Sequence, residues 1–371
     1  MGTTRYFSRR GNLDMLEILK QAFTGKRIFL TGQTGFKGAW LVPMLRELGA
    51  ADIVAYALAP ETRPSLYDLL GLSDLCESHI EDLRDRERLT KTLAKARPDF
   101  VFHLGAQSLV RRSYRDPADT FESNVLGTMN LLEAVRKYDG PLSCVVITTD
   151  KVYRESAPGQ VRLEDDPLGG HDPYSASKAA CEIVVDSYRQ SFFEPADIAR
   201  HGKALASARA GNVIGGGDWC DDRLVPDIAR SLSQGKSIRV RNPSSVRPWQ
   251  HVLEPLAGYL LLAAKMAEVP GQCCRSYNFG PASSDALTVE AVVKLAIESW
   301  GGGSYHLDAD PNAPHEAGYL QIDSTRAARE LGFKPRYDAI TAIRKTIQWY
   351  KEYRDAGPWS MTRRQIADYL E

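Results

Sequence analysis

Residues 26–48 constrain the fold more than any other stretch. Lys26–Thr31 is a short apolar run with strand character, and Thr31-Gly-Gln-Thr-Gly-Phe-Lys-Gly38 follows at once, ahead of an amphipathic run over Ala39–Leu48. A strand that passes into a helix through glycines three apart has few ways to fold. Gly32 permits the tight turn, Gly35 lets backbone approach a pyrophosphate, and Gly38 lets helix and strand pack closely. The helix N-terminus then points its unpaired N–H groups at the same place, which suits an anion. Thr34 and Phe36 lie in this loop and are expected to share its contacts.

The alternation continues. Ile53–Leu58, Phe100–His103 and Ser143–Thr148 read as strands, and Arg86–Ala96 and Pro117–Tyr138 as helices, the latter interrupted at Asn124-Val-Leu-Gly127. Repeated strand–helix alternation predicts an α/β fold, a doubly wound parallel Rossmann sheet with right-handed crossovers. Ligands in such sheets lie beyond the carboxyl ends of the strands, where Gly32, Leu104, Ala106, Thr149 and the segment around Tyr174 all fall. Asp82 and Leu83, in Ile80-Glu-Asp-Leu-Arg-Asp85, resemble a short acidic turn against an adenine ring, though Asp85 also reads as a helix cap. The second strand runs out into Ala59-Pro-Glu-Thr-Arg63, with no acidic residue at its tip, which leaves NAD and NADP both open. After a strand at Ala204–Ala210 the pattern loosens into a glycine-rich loop and shorter elements. The expected organisation is an N-terminal extension (1–24), a dinucleotide-binding domain (25–203) and a smaller C-terminal α/β substrate-binding domain (204–371), some of whose segments return to the first domain.

Composition narrows the partners. Lys and Arg number 47 and Asp and Glu 47, so no net field draws the chain to nucleic acid. No run of some twenty apolar residues suggests a membrane span, and a cytoplasmic enzyme is expected. The six cysteines show no C-x-x-C spacing, and no metal site is expected.

Tyr174 and Lys178 stand four apart where a proline-containing loop, Gly169-Gly-His-Asp-Pro173, gives way to a helix over Ala179–Gln190. One turn places both on one face, so the ammonium can sit under the phenol and stabilise a phenolate. Tyr174 is then a candidate base near neutral pH. A pair of this spacing also arises by chance on solvated helices.

Together the TGxTGFKG loop, Asn124, Thr149 and Tyr174-x-x-x-Lys178 resemble the extended short-chain dehydrogenases/reductases that act on nucleotide sugars. Thr34-Gly-Phe-Lys-Gly-Ala-Trp40, Thr149-Asp-Lys-Val-Tyr153, Gly169-Gly-His-Asp-Pro-Tyr174, Ala210-Gly-Asn-Val-Ile-Gly-Gly-Gly-Asp-Trp219 and Arg247-Pro-Trp-Gln-His-Val252 are similar to the CDP-glucose 4,6-dehydratase family. Two departures stand out. Gln33 replaces the family's usual His, and Arg154–Leu163 is shorter than usual.

The resemblance implies a tightly held NAD that takes hydride from C4 of CDP-glucose and returns it to C6 after water is eliminated across C5–C6. Tyr174, Lys178 and Thr149 would serve the C4 oxidation. Asp150 would protonate the leaving hydroxyl, and Lys151 is a candidate C5 base, its alternative being a strand-end ion pair with Asp150. The resemblance also places Asn124, Tyr174 and Lys178 against the cofactor. Arg247, with Asn212 and Arg239, would hold the substrate diphosphate, and His315 and Glu316 its distal nucleotide end. Trp219 and Trp249 read as packing residues. A homodimer joined through Pro117–Tyr138 and Ala179–Gln190 is the related arrangement. Three other readings stay open: another nucleotide-sugar 4,6-dehydratase, an epimerase or reductase of the same fold that would not need Asp150, and a dinucleotide-binding protein without catalysis.

Overall fold

The computed structural model describes residues 15–155, 159–282, 285–308 and 320–371. Its centre is a sheet of seven strands: β1 (Arg27–Thr31), β2 (Asp52–Ala57), β3 (Glu77–Ile80), β4 (Phe100–His103), β5 (Leu142–Ile147), β6 (Lys203–Ala210) and β7 (Ser276–Phe279). They lie in the order β7-β6-β5-β4-β1-β2-β3, every neighbouring pair parallel. Chain direction across the sheet reverses between β1 and β4, which opens a crevice at their carboxyl ends.

The apolar pattern of the strands explains why helices cover both faces. Ile28 and Leu30 of β1 enter one core cluster and Phe29 the other; in β5, Val145 and Ile147 oppose Cys144 and Val146 in the same way. A strand apolar on both sides has to be buried on both sides. Helices Met15–Phe23, Phe36–Glu47 and Leu253–Glu268 supply side chains to the first cluster, and Arg86–Ala96, Gly127–Lys137 and Pro173–Ser191 to the second. Residues 15–23, expected in an N-terminal extension, thus form part of the core: Leu19 and Phe23 are fully buried, and the Phe23 ring lies 4.7 Å from that of Phe100.

Several boundaries differ from the expected ones. The glycine-loop helix starts at Phe36 rather than Ala39, because Gly38 can join the first turn. A Cβ there would run into the Gly32 carbonyl, so close packing outweighs the low helix propensity of glycine. Pro117–Tyr138 resolves into an α-turn Pro117–Phe121, a π-helical turn Glu122–Leu126 and the helix Gly127–Lys137. The π turn accommodates an extra residue and buries Asn124. Beyond β6 the described residues form three small two-stranded pairings, including Ile238–Val240 with Tyr305–Leu307, and the chain returns to the central sheet as β7.

Candidate active site

A cleft of about 800 Å³ opens along the carboxyl ends of the strands, lined at one end by Gly32 and Thr34–Gly38 and at the other by residues beyond β6 such as Arg239 and Arg247. Its glycine end meets a dinucleotide's needs on one observation. Gly32 has φ +86°, and a Cβ on it would come within 2.7 Å of the Gly105 nitrogen; Gly38 is required by the Gly32 carbonyl. Gly35 is different, since a Cβ there would meet nothing closer than 3.5 Å. The chain's own packing does not demand that glycine, whereas a pyrophosphate approaching the backbone does. Gly35 is also the helix N-cap, without a side-chain cap, and the first turn carries no acidic residue. Its N–H groups are therefore available to an anion.

The other expected cofactor residues divide. Thr34, Phe36, Asp82, Leu83, Leu104 and Ala106 line the cleft. Thr34 donates to the Leu58 carbonyl at 2.8 Å. Burial works to raise the pKa of Asp82, but the hydrogen bonds and charge of Arg84 outweigh it and hold the carboxylate low. Asn124 lies behind the cleft wall rather than in it. Its amide accepts from Gln107 N at 2.8 Å and donates to Gln107 O at 3.0 Å and to Ser177 Oγ at 2.8 Å, which ties the loop after β4 to the helix Pro173–Ser191.

That helix begins earlier than expected, with Asp172 as its N-cap accepting from Ser175 N. Tyr174 and Lys178 thus both sit in its first turns and both line the cleft. Among the described residues no hydrogen bond joins the two side chains. Lys178 Nζ donates to the Ile147 carbonyl at 3.1 Å, and burial, the largest influence, lowers its pKa. Burial likewise pushes the Tyr174 phenol up to about 12, against which a hydrogen bond with Thr149 and the charge of Arg223 act to lower it.

β5 ends at Ile147, and Thr149 caps a single 3₁₀ turn, Asp150–Val152. The turn breaks the strict alternation of an extended segment, so Thr149, Asp150 and Lys151 all line the cleft. Asp150 is 1% exposed. Its Oδ1 accepts from Thr149 Oγ1 at 3.0 Å, while Oδ2 is buried with no hydrogen-bond partner among the described residues. A Cβ on Gly211 would overlap this carboxylate, so glycine at 211 is what lets the acid sit there.

Sequence reasoning missed several cations of the cleft, Lys37 and Arg223 among them. Lys37 lines the cleft beside the Tyr259 hydroxyl at 3.3 Å. Burial, then the charges of Arg223 and Lys178, lower its pKa to about 7, with Asp150 acting the other way. Arg223 also lines the cleft, bonded to Asp218 Oδ2 at 2.8 Å and to Ser108 Oγ at 3.0 Å. Lys37 lay in plain sight within the glycine motif; Arg223 sits in a charged loop with no local pattern. Of the expected substrate residues, Asn212, Arg239 and Arg247 line the cleft. Asn212 has φ +44° and a buried Nδ2 without a hydrogen-bond partner among the described residues. Arg239 pairs with Asp308. His315 and Glu316 lie outside the described residues. Trp249 is buried and donates to the Leu287 carbonyl at 3.2 Å, and Trp219 packs edge-on against Tyr350.

The strand order, the glycine loop and the Tyr174–Lys178 helix beside it define an extended short-chain dehydrogenase/reductase. The chain is 45% identical over 354 residues to a CDP-glucose 4,6-dehydratase of Salmonella typhimurium, covering 95% of this chain and 98% of that protein. It is 30% identical over 336 residues to a dTDP-glucose 4,6-dehydratase of Streptomyces griseus, covering 88% and 94%. Residues 29–346 match the model of the GDP-mannose 4,6 dehydratase family, to which the chain belongs. Among solved structures, a dTDP-glucose 4,6-dehydratase from Streptomyces venezuelae with NAD bound superposes with a TM-score of 0.74 at 24% identity, over 88% of this chain and 98% of that one. A Thermus thermophilus UDP-glucose 4-epimerase in complex with NAD gives 0.73 at 26% identity, over 88% and 99%.

Proposed function

We propose that this chain is an NAD-dependent hydro-lyase that converts CDP-glucose to CDP-4-keto-6-deoxyglucose. One observation carries the reading past simple oxidoreduction. Asp150 is buried on the turn after β5, lines the same cleft as Tyr174, and has a carboxylate oxygen without a hydrogen bond among the described residues. Reductases and epimerases have no step that needs such an acid. The 45% identity to a CDP-glucose 4,6-dehydratase supports the choice of nucleotide.

NAD, when bound, would supply the hydride acceptor for C4 and the hydride donor for C6, which would make the reaction redox-neutral. Gly32–Gly38 and the helix behind them would hold its pyrophosphate, and Asp82 and Leu83 its adenine end. Tyr174 takes the C4 hydroxyl proton, and Thr149 steadies the same oxygen. The resulting C4 ketone acidifies C5–H. Lys151 removes that proton, and Asp150 protonates the departing C6 hydroxyl. Arg247, Asn212, Arg239 and the newly recognised Arg223 hold the diphosphate, and His315 and Glu316 the base end. In this reading residues 25–203 chiefly bind NAD and 204–371 the sugar nucleotide.

We read the assembly as a homodimer. Phe121, Leu126, Ile183 and Phe192 expose large apolar side chains on Pro117–Leu126 and on and just after Pro173–Ser191, surface that a second copy would cover. Among the described residues no helix is long and apolar enough to cross a membrane, and we place the enzyme in the cytoplasm with its substrate. Incubation with CDP-glucose should generate the alkali-induced absorbance of a 4-keto sugar without net reduced cofactor. Failure with CDP-, dTDP- and GDP-hexoses alike overturns the proposal.

A further inference from the structure

Gln250 has no part in the chemistry described so far. It stands in Arg247-Pro-Trp-Gln-His-Val252, on the short strand Gln250–His251 that pairs in parallel with Val213–Ile214. The residue is 1% exposed and is not among those that line the cleft. A buried amide is costly unless its donors are used. An amide nitrogen carries two N–H donors, and here Nε2 donates to the Gly211 carbonyl and to the Phe279 carbonyl, each at 3.0 Å.

Those two carbonyls stand at the carboxyl ends of neighbouring strands. Ala210 and Phe279 are the last registered pair of β6 and β7, and Gly211 is the first residue past it. Neighbouring strands lie about 4.8 Å apart, a span that the two N–H groups of one nitrogen can bridge. Gln250 therefore ties Gly211 to the end of β7 just where the ladder stops. Its backbone N–H adds a bond to the Asn212 carbonyl at 3.3 Å. Gly211 is also where the Asp150 carboxylate rests. A Cβ on Gly211 would lie 1.7 Å from Asp150 Oδ2 and 2.0 Å from its Cγ, so the carboxylate fills the space in front of that backbone. Thr149 Oγ1 holds Oδ1 at 3.0 Å, while Oδ2 has no hydrogen-bond partner among the described residues. The last torsion of an aspartate is soft, and one bond to one oxygen leaves the carboxyl room to swing. Contact with the Gly211 backbone removes that room.

We infer that Gln250 is a positioning residue for the elimination step, fixing the Gly211 backbone against which the Asp150 carboxyl is aimed at the departing C6 hydroxyl. The inference rests on the dehydratase reading. Tyr174 and Lys178 stand on a separate helix, Pro173–Ser191, and Lys178 is anchored to β5 through the Ile147 carbonyl at 3.1 Å. The groups that oxidise C4 are thus held independently of Gln250. Loss of its donors leaves C4 oxidation in place and slows the elimination that follows.

The test uses Gln250→Met, which keeps the length of the side chain and the backbone N–H and removes both side-chain donors. NAD-loaded enzyme in excess is mixed with CDP-glucose, and reduced cofactor and 4-keto product are followed by absorbance. Reduced cofactor should form at the wild-type rate and then accumulate. At steady state kcat should fall about tenfold or more with KM within about twofold, the pattern of a misplaced catalytic group. A general loosening of the fold would instead slow both steps together. Gly211→Ala probes the same contact with the Gln250 donors intact. The three atoms nearest its Cβ all belong to the Asp150 carboxylate, so the methyl displaces the acid and should give the same stall, whether or not Gln250→Met folds. Folded Gln250→Met that accumulates no reduced cofactor, or that slows both steps equally, overturns the inference, as does wild-type turnover by Gly211→Ala. If the wild type makes no 4-keto-6-deoxy product, the dehydratase reading fails instead.

Discussion

Replacing Glu182 by Gln tests what holds the catalytic helix to the sheet. Glu182 lies one turn after Lys178, and its carboxylate accepts from Ser207 Oγ at 2.6 Å on β6, from Ser276 Oγ at 3.2 Å on β7 and from Thr148 Oγ1 just past β5. Arg209 Nη2 donates to it at 2.9 Å, and the two side chains are 2% and 3% exposed. Glutamine keeps the shape, but it removes the charge facing a buried guanidinium and sets an amide donor against a donor. Breaking a buried pair from one side costs about 3–5 kcal/mol. With an unfolding entropy of about 2.1 cal/mol/K per residue, a chain of 371 residues should lose roughly 4–6 °C in apparent Tm. Burial works to raise the Glu182 pKa, but Arg209 and the hydroxyls outweigh it and hold it low. The carboxylate's contribution is thus present above the unfolded value of about 4.3 and lost as pH falls through the lower folded value. The gap between wild type and Glu182→Gln, followed by circular dichroism melts, should be widest at neutral pH and close in acid. A shift under about 1 °C at neutral pH, or a gap that does not close in acid, refutes the reasoning.

Three further outcomes are expected. Asp150→Asn should lose about 10²–10⁴-fold in kcat, the worth of a general acid, and should stall with reduced cofactor accumulating, whereas an epimerase would keep most of its rate. Lys37→Met should be more stable than wild type in ligand-free urea unfolding. A lysine held at about 7 in the fold against 10.5 in its absence penalises the folded state fully below pH 7, so the gain should shrink as pH rises from 7 toward 10.5. Gly35→Ala should melt like wild type without NAD, since its Cβ meets nothing closer than 3.5 Å, yet gain less Tm when NAD is added; Gly38→Ala should melt lower even without cofactor.

Much of this architecture could be read from pattern, and the exceptions have causes. β1, β4 and β5 are apolar on both faces and bounded by turns, so their burial shows in their composition. β3 did not show, because Glu77-Ser-His-Ile80 is an edge strand with exposed and half-buried positions and has no apolar period to detect. The helix Pro358–Leu370 went unrecognised although Met361, Ile366, Tyr369 and Leu370 bury one face of it, because arginines and polar residues separate them. Glycine spacing and the Tyr174–Lys178 interval located the cleft, since both are local. What Lys178 touches, and that Lys37 and Arg223 face the same space, depends on segments far apart in sequence. No short window records that, and it came only with the fold.

The return of the chain to the sheet as β7 bears on how the protein is made. Ala210 and Ser276, the end of β6 and the start of β7, frame a stretch that a ribosome working at about 5–20 residues per second takes roughly 3–13 s to produce. Throughout that interval the outer edge of β6 has no partner, and Tyr277 and Phe279, both fully buried in the finished fold, do not yet exist. The nascent chain must therefore carry an open apolar sheet edge for seconds. The glycine loop is synthesised long before this, so the nucleotide end of the cleft is in place while the wall that admits the sugar is still emerging.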